Sequence, residues 1–384
     1  MTLRYSAERA ISPVDGGICH VVVDADFVFH VEACAYLAFL RDAGRSPNTA
    51  RVYAGRIAQF LTYCADNRLD WRTVAIDDLS RFMRSLVAVP LPARSMNSTR
   101  EPRFRSSRTA NATMTTVSEF LRFAATRGWV DAVAADRLSR PRFLRYRAPG
   151  QSWGEDEQFR TVNSRTLKLP ESESPVQSLS SNEIISLLKS TVHQRDLFLI
   201  AALDETGMRI GETLGLRRED MHLLSSSTRL GCAVQGPHLH VRRRVNANGA
   251  LAKSRFPRSI PVTTGLVESY AAYLHERSDF PDADRCDFVF VNLFKPPVGE
   301  PMKYNNAKKL FDRLSGTAGF TARPHMLRHS AASRWLADGA PRDVVQALLG
   351  HVSPASMEVY LHPTDAAKRA AVERAGAATD RPPT

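Results

Sequence analysis

The stretch RPHMLRHSAASRWLADGAP, Arg323 to Pro341, carries His325, Arg328 and His329 on one turn of an otherwise ordinary amphipathic helix. Positions i, i+3 and i+4 share a helix face, so three cationic or near-cationic side chains stand together with no carboxylate on that turn to offset them. Such a face calls for an anion that the stretch itself does not supply. A metal reading of the i, i+4 histidines, with His351 as a third ligand, is weak. Arg328 occupies the same turn, no H-E-x-x-H is present, and a dication there meets more positive charge rather than compensation. No metal and no cofactor is expected.

The rest of the chain fits a polyanionic partner. Its 384 residues hold 52 Lys and Arg against 40 Asp and Glu, a net charge of +12, with 43% hydrophobic residues. That length and apolar content allow two or three domains with real cores, and the charge favours phosphate-rich surfaces. Cys19, Cys34, Cys64, Cys232 and Cys286 are widely spaced with no C-x-x-C pair, which speaks against a disulfide framework or a zinc knuckle. The N-terminus has no apolar signal core, and no run reaches the roughly 20 apolar residues of a membrane span. A cytosolic, non-membrane protein is expected.

Residues 1–30 read as a short leader that includes VVVDADFVF. Helical patterns follow at Glu32 to Arg41, in SPNTARVYAGRIAQFLTYC with Ser46 as N-cap and Pro47 first in the helix, in DDLSRFMRSL, and in TANATMTTVSEFLRFAATRG ending at Gly128. They predict a four-helix domain over 31–130. Residues 131–179 lose periodicity and read as a linker. Its Arg140, Arg142, Arg145 and Arg147, interleaved with Phe143 and Tyr146, suit a phosphate backbone and equally suit a solvated basic loop. A second domain starts at Ser180, where Ser180 and Glu183 form a capping-box pattern, and runs to residue 363. HLHVRRRV and SRFPRSIPV read as two strands joined through NANG; helices dominate elsewhere, including PRDVVQALLG, with Pro341 at its start and Gly350 as its stop, and SPASMEVYLH. The fold class is therefore mainly α with a small β-sheet, α+β. Residues 364–384 form an Ala-rich C-terminal tail.

The second domain also offers Arg209 in TGMRIGE, Lys253 near the turn between the strands, His351 after LLG, and Tyr360. Each alone has an ordinary reading: Arg209 pairing with Glu212, a solvated lysine, a histidine at a helix C-terminus, a core tyrosine. Taken together with PHMLRH, they match one pattern in order and spacing. The chain resembles the tyrosine recombinase (phage integrase) family, whose signature is Arg, Lys, His-x-x-Arg, His or Trp, then Tyr. Lys253 stands five residues before Arg258 and eight before Pro261, and Tyr360 follows His351 by nine. The N-terminal helices are similar to the family's SAM-like core-binding domain. VVVDADFVFH, RSPNTARVY, LDW and DDLSRF are similar to its transposase-type subgroup, and the leader is too short for the arm-binding domain of some members.

The resemblance implies a clamp of two domains around double-stranded DNA, and a site-specific recombinase, an integrase or transposase of a mobile element, acting as a tetramer in the bacterial cytosol and nucleoid. Arg209 and Arg328 would clamp the phosphate, Glu212 would support them, and His325 and His351 would add hydrogen bonds. Lys253, at a mobile hairpin tip, would protonate the leaving oxygen, and Tyr360 would be the nucleophile. Tyr270 and Tyr273 are the next tyrosines to consider for that role. Arg51, Arg56, Arg258 and the four linker arginines are candidate DNA contacts. A nicking-type topoisomerase and a catalytically silent DNA-binding regulator are the competing readings.

Overall fold

The computed structural model describes residues 4–91, 101–143, 161–171, 177–252, 254 and 256–350. Described residues up to Glu171 fall in one compact unit and those from Gln177 onward in a second.

The first unit is built on four helices, α1 (Val31–Asp42), α2 (Pro47–Asp66), α3 (Ile76–Ala88) and α4 (Ser107–Thr126). The start of α2 follows its sequence signal: Ser46 Oγ accepts the Thr49 N–H at 3.2 Å and Pro47 opens the helix. Ile57, Phe60 and Leu61 of α2 meet Leu79, Phe82 and Leu86 of α3 and Val117, Phe120 and Leu121 of α4 in one apolar core. Trp71, between α2 and α3, lies against Phe120 with the rings tilted by 31° and their centroids 5.1 Å apart.

Residues 1–30 do more than lead in. Tyr5–Ile11 (β1) and Ile18–Asp24 (β2) pair antiparallel, with Tyr5 opposite Asp24 and Ile11 opposite Ile18. The hairpin packs on α2, where the Tyr5 N–H donates to Thr62 Oγ1 at 3.1 Å and Arg4 Nε reaches Asp66 at 2.8 Å. The apolar run VVVDADF thus supplies a strand whose Val22 and Val23 are buried.

The expected linker also carries structure. After α5 (Ala132–Asp136), Ser139–Phe143 (β3) pairs antiparallel with Thr161–Arg165 (β4). Beyond β4 the chain docks on α4 through Asn111, which is buried: its Nδ2 donates to the Leu169 carbonyl at 2.9 Å and to Glu171 at 2.7 Å, and its Oδ1 accepts the Leu169 N–H at 2.8 Å. Arg140 is exposed and Arg142 lies in β3, while Arg145 and Arg147 fall outside the described residues.

The second unit comprises α6 (Ser181–Lys189), α7 (Gln194–Thr206), α8 (Ile210–Thr213), α9 (Thr264–Ser278), α10 (Pro281–Asp284), α11 (Tyr304–Ala318), α12 (Pro324–Ala337) and α13 (Arg342–Leu349). Its three-stranded antiparallel sheet runs β5 (Met221–His222), β6 (His238–Val241), β7 (Arg258–Pro261). Helix α7 is the central element: Phe198, Leu199, Ile200, Ala202 and Leu203 are all fully buried, with α9 and α12 packed against it. The Ser180–Glu183 capping box forms as its sequence pattern indicated. The two strands read from HLHVRRRV and SRFPRSIPV are shorter than their apolar patterns. Arg244 leaves the sheet to bond Asp220 at 2.7 and 2.9 Å, so the connection spans residues 242–257 rather than a tight NANG turn.

The buried Asn111 amide pairs with both main-chain groups of half-buried Leu169. Asn111→Ala is expected to destabilise the first unit by about 1–3 kcal/mol, measurable as a lowered urea midpoint; an unchanged midpoint would mean that the Leu169 segment does not depend on this amide.

Candidate active site

The site forms where the ends of α7 and α13, the start of α8, the first residue of β7 and the first turns of α12 converge. Helix α7 stops at Gly207, which adopts the left-handed conformation (φ 59°) and lies so close to Trp335 and Leu349 that an added Cβ would sit 3.1 Å from each. The chain then turns through buried Met208 to Arg209, the residue that caps α8. Glu212, at the third position of α8, accepts the Arg209 backbone N–H at 2.9 Å and the Arg209 guanidinium at 3.1 Å. The pairing with Glu212 expected for an isolated arginine is thus present, and it is part of something larger.

Glu212 is buried, and it also receives Arg258 Nη2 at 2.9 Å. Burial by itself would raise the Glu212 pKa. The hydrogen bonds and charge of Arg258, joined by those of Arg209, outweigh it and hold the carboxyl below its usual range, so it stays ionised. Arg258 in turn donates from Nε to the Leu348 carbonyl at 2.8 Å, and its guanidinium packs against Gly350, where a Cβ would lie only 2.7 Å from Nη1. With a side chain only 10% exposed, Arg258 braces the site internally rather than presenting a free surface to DNA.

Arg328 is almost wholly buried on α12. Its Nη1 donates to the Gly207 carbonyl at 2.7 Å and its Nη2 to the Leu349 carbonyl at 2.9 Å, so one guanidinium joins the C-terminal ends of α7 and α13. A cation there also complements two helix dipoles. One turn along, the His325 and His329 rings meet edge to face with centroids 4.4 Å apart. Burial lowers the His329 pKa from its usual 6.5 to about 4, aided by the charges of His325 and Arg328, so the ring is neutral at neutral pH. The face read as three cations is therefore less positive than its sequence suggests.

Lys253, His351 and Tyr360 fall outside the described residues. The chain on either side of Lys253 is anchored: Ala252 and Ser254 are buried, and the Leu251 carbonyl lies so close to Gly211 that a Cβ there would stand 2.8 Å from it. Asn248 fastens the same connection by donating to the Leu214 and Met302 carbonyls, each at 2.9 Å. These contacts bring Leu251 beside the start of α8, which follows Arg209. Tyr270 and Tyr273 are core residues. Burial raises both phenols, Tyr273 to about 12, and the Tyr273 hydroxyl donates to the Val289 carbonyl at 2.8 Å.

Of the DNA-contact candidates in the first unit, Arg51 is exposed and bonds only its neighbour Asn48 among the contacts resolved. Arg56 is different. It donates to Thr116 Oγ1 at 3.1 Å, bridging α2 and α4, and partial burial lowers its pKa. The helical spacing that put Arg56 near Arg51 turns its side chain toward α4.

The model of the "Phage integrase family" matches residues 177–367, and that of the "Phage integrase, N-terminal SAM-like domain" matches residues 34–128. This chain belongs to the phage integrase family. Its members, the tyrosine recombinases, are enzymes that cleave and rejoin DNA, and this chain is such an enzyme. It is 24% identical over 351 residues to transposase A from transposon Tn554 of Staphylococcus aureus, covering 90% of this chain and 91% of that one. Tyrosine recombinase XerC of Roseiflexus sp. is 27% identical over 333 residues, 85% and 88% of the two chains. Among solved structures, the Tn1549 transposon integrase in complex with circular intermediate DNA shares the fold with a TM-score of 0.57 at 16% identity, over 89% of this chain and 99% of that one. XerH recombinase bound to its difH substrate gives 0.56 at 17% identity, over 90% and 85%.

The neutral His329 has a measurable signature. Its folded pKa lies below its unfolded value, so its contribution to stability is complete above about pH 6.5 and is lost as pH falls toward 4. The stability difference between wild type and His329→Gln is expected to shrink across that window in urea unfolding; a difference independent of pH would show that the ring is not held neutral.

Proposed function

We propose that this enzyme is a site-specific recombinase of a mobile element that acts on double-stranded DNA through a covalent 3′-phosphotyrosine. The Tyr360 hydroxyl gives up its proton to solvent as its oxygen attacks the scissile phosphorus, the bond from phosphorus to the 5′ oxygen breaks, and Lys253 gives a proton to that departing oxygen. In rejoining, the 5′ hydroxyl of another strand attacks the phosphotyrosine, releases Tyr360 and returns the proton. The linkage energy is kept in the phosphotyrosine, so the cycle draws on no nucleotide. Arg209 and Arg328 hold the phosphoryl oxygens as charge gathers on them, with His325 and His351 adding hydrogen bonds.

The observation that carries this reading is the joining of the two arginine boxes. Arg328 donates to the carbonyl of Gly207, two residues before Arg209, while Glu212 fixes Arg209 from the other side. Guanidiniums held in advance need little reorganisation when charge develops, which is where such donors are most effective. The mobile-element role rests on the Tn554 transposase, which aligns over nine-tenths of both chains, and the DNA partner on the DNA-bound Tn1549 and XerH relatives. In the same proposal both units grip the duplex and four chains assemble on two sites.

Tyr360→Phe is expected to bind its DNA site with wild-type affinity and to assemble four chains on two duplexes by light scattering, yet to form no denaturant-resistant adduct. An adduct in this variant would place the nucleophile elsewhere.

Binding should also weaken steeply with salt, because each phosphate neutralised by Lys or Arg releases counterions. With about six such contacts, affinity is expected to drop on the order of 10³-fold between 50 and 200 mM salt. A flat salt dependence in a fluorescence-anisotropy titration would remove the backbone-gripping role.

A further inference from the structure

A second cluster of chemistry-bearing side chains gathers on β5 and β6, the edge and central strands of the three-stranded sheet. His222 on β5 lies directly across from His238 on β6, and His240 follows two residues along the same face of β6. Cys232 reaches them from the loop between these strands, just after Gly231, a left-handed residue (φ 73°) that ends a short 3-10 turn. One ligand atom from each of the four residues lies within 4.8 Å of the others.

The tightest contacts form a triangle. Cys232 Sγ is 3.3 Å from His238 Nε2 and 3.4 Å from His240 Nε2, and these two nitrogens are 3.1 Å apart. His238 Nδ1 stands 2.7 Å from the Gly236 carbonyl, which can only accept, so Nδ1 carries the proton. The Nε2 of neutral His238 is then a bare lone pair aimed into the cluster. A hydrogen-bonded triangle would need His240 and the thiol to supply all three of its protons, which they cannot do while neutral. Buried His222 leaves Nδ1 without a hydrogen-bond partner among the described residues.

We propose that His222, Cys232, His238 and His240 form a site for a tetrahedral divalent transition ion, with zinc as the natural occupant. Bonds of about 2.0–2.1 Å to nitrogen and 2.3 Å to sulfur give tetrahedral edges of roughly 3.3 Å between nitrogens and 3.6 Å between nitrogen and sulfur. The triangle is within a few tenths of an ångström of those edges. The Gly236 carbonyl supplies the outer partner that orients a metal-bound imidazole and fixes its tautomer. Three imidazoles and one thiolate exclude Mg²⁺ and Ca²⁺, which take oxygen, and favour zinc or its cobalt substitute. Ligand binding costs one thiol proton, which is released to solvent. The ion fastens the loop 223–237 to β5 and β6. Because β6 pairs with β7, which starts at Arg258, it also stiffens the sheet that supports the candidate active site. It takes no part in strand cleavage, and this inference does not depend on the proposed reaction.

The test uses the full chain with no polyhistidine tag, loaded with Zn²⁺ or Co²⁺ and desalted. About one ion per chain by elemental mass spectrometry is expected, and Co²⁺ should show tetrahedral ligand-field bands with a thiolate-to-cobalt charge-transfer band. Cys232→Ser should abolish the charge-transfer band and weaken Co²⁺ binding by more than the roughly 10–100-fold cost of outer-shell changes. Absence of stoichiometric metal, or the same charge-transfer band in Cys232→Ser, would overturn the proposal. The native protein gives an independent measure if the variant fails to fold. Zn²⁺ should slow alkylation of Cys232, followed by peptide mass spectrometry, without slowing the other four cysteines to the same degree; equal alkylation of Cys232 with and without Zn²⁺ would also overturn it.

Discussion

The buried carboxylate of Glu212 is the constraint around which the second unit is arranged. An ionised carboxyl removed from water is tolerated only when opposite charge and hydrogen-bond donors surround it. Here two guanidiniums and a backbone N–H do so. Satisfying this one group fixes the start of α8, the entry of β7 and, through Arg258, the end of α13. The apolar core beneath supplies most of the burial, but it would tolerate many side-chain arrangements. The carboxylate tolerates few, which is why the polar geometry is so specific.

Much of this was legible in the chain itself. Ser46 with Pro47, Ser180 with Glu183, and the stop glycines Gly207 and Gly350 mark helix ends by local chemistry, and local chemistry needs no knowledge of the fold. The arginine and histidine boxes stand out because their order and spacing along the chain match the signature of the family it resembles. What stayed hidden depends on partners distant in sequence. The hairpin of residues 5–24 and the β3–β4 pair are strands whose alternation is modest and whose partner or support comes from elsewhere. Arg56 and Arg258 look like DNA contacts by composition, yet Thr116 and Glu212, 60 and 46 residues away, take them inward. The group around Cys232 is not legible in the chain because its members lie on two strands and the loop between them, with no paired-cysteine spacing to mark them.

Charge is handled differently in the two regions of the second unit. Around Arg328 the protein lowers the positive potential by keeping His329 neutral and by giving the guanidinium two helix-end carbonyls. Around Glu212 it concentrates opposite charges in a dry pocket. The net effect is a set of guanidiniums with defined directions rather than a diffuse basic patch. Direction, more than quantity of charge, separates a site for chemistry at one phosphate from a surface that merely attracts polyanions.

The seat of Arg258 against Gly350 has one further consequence. The same guanidinium bonds the last turn of α13 and the carboxylate that holds Arg209, with no spare room for a side chain at Gly350. If α13 shifts, Arg258 cannot keep both partners, and the strain appears at Arg209. Helix α13 is therefore wired to the opposite wall of the site like a pushrod to a valve. Its position reports on that wall and sets it, by the reciprocity that governs any two coupled sites.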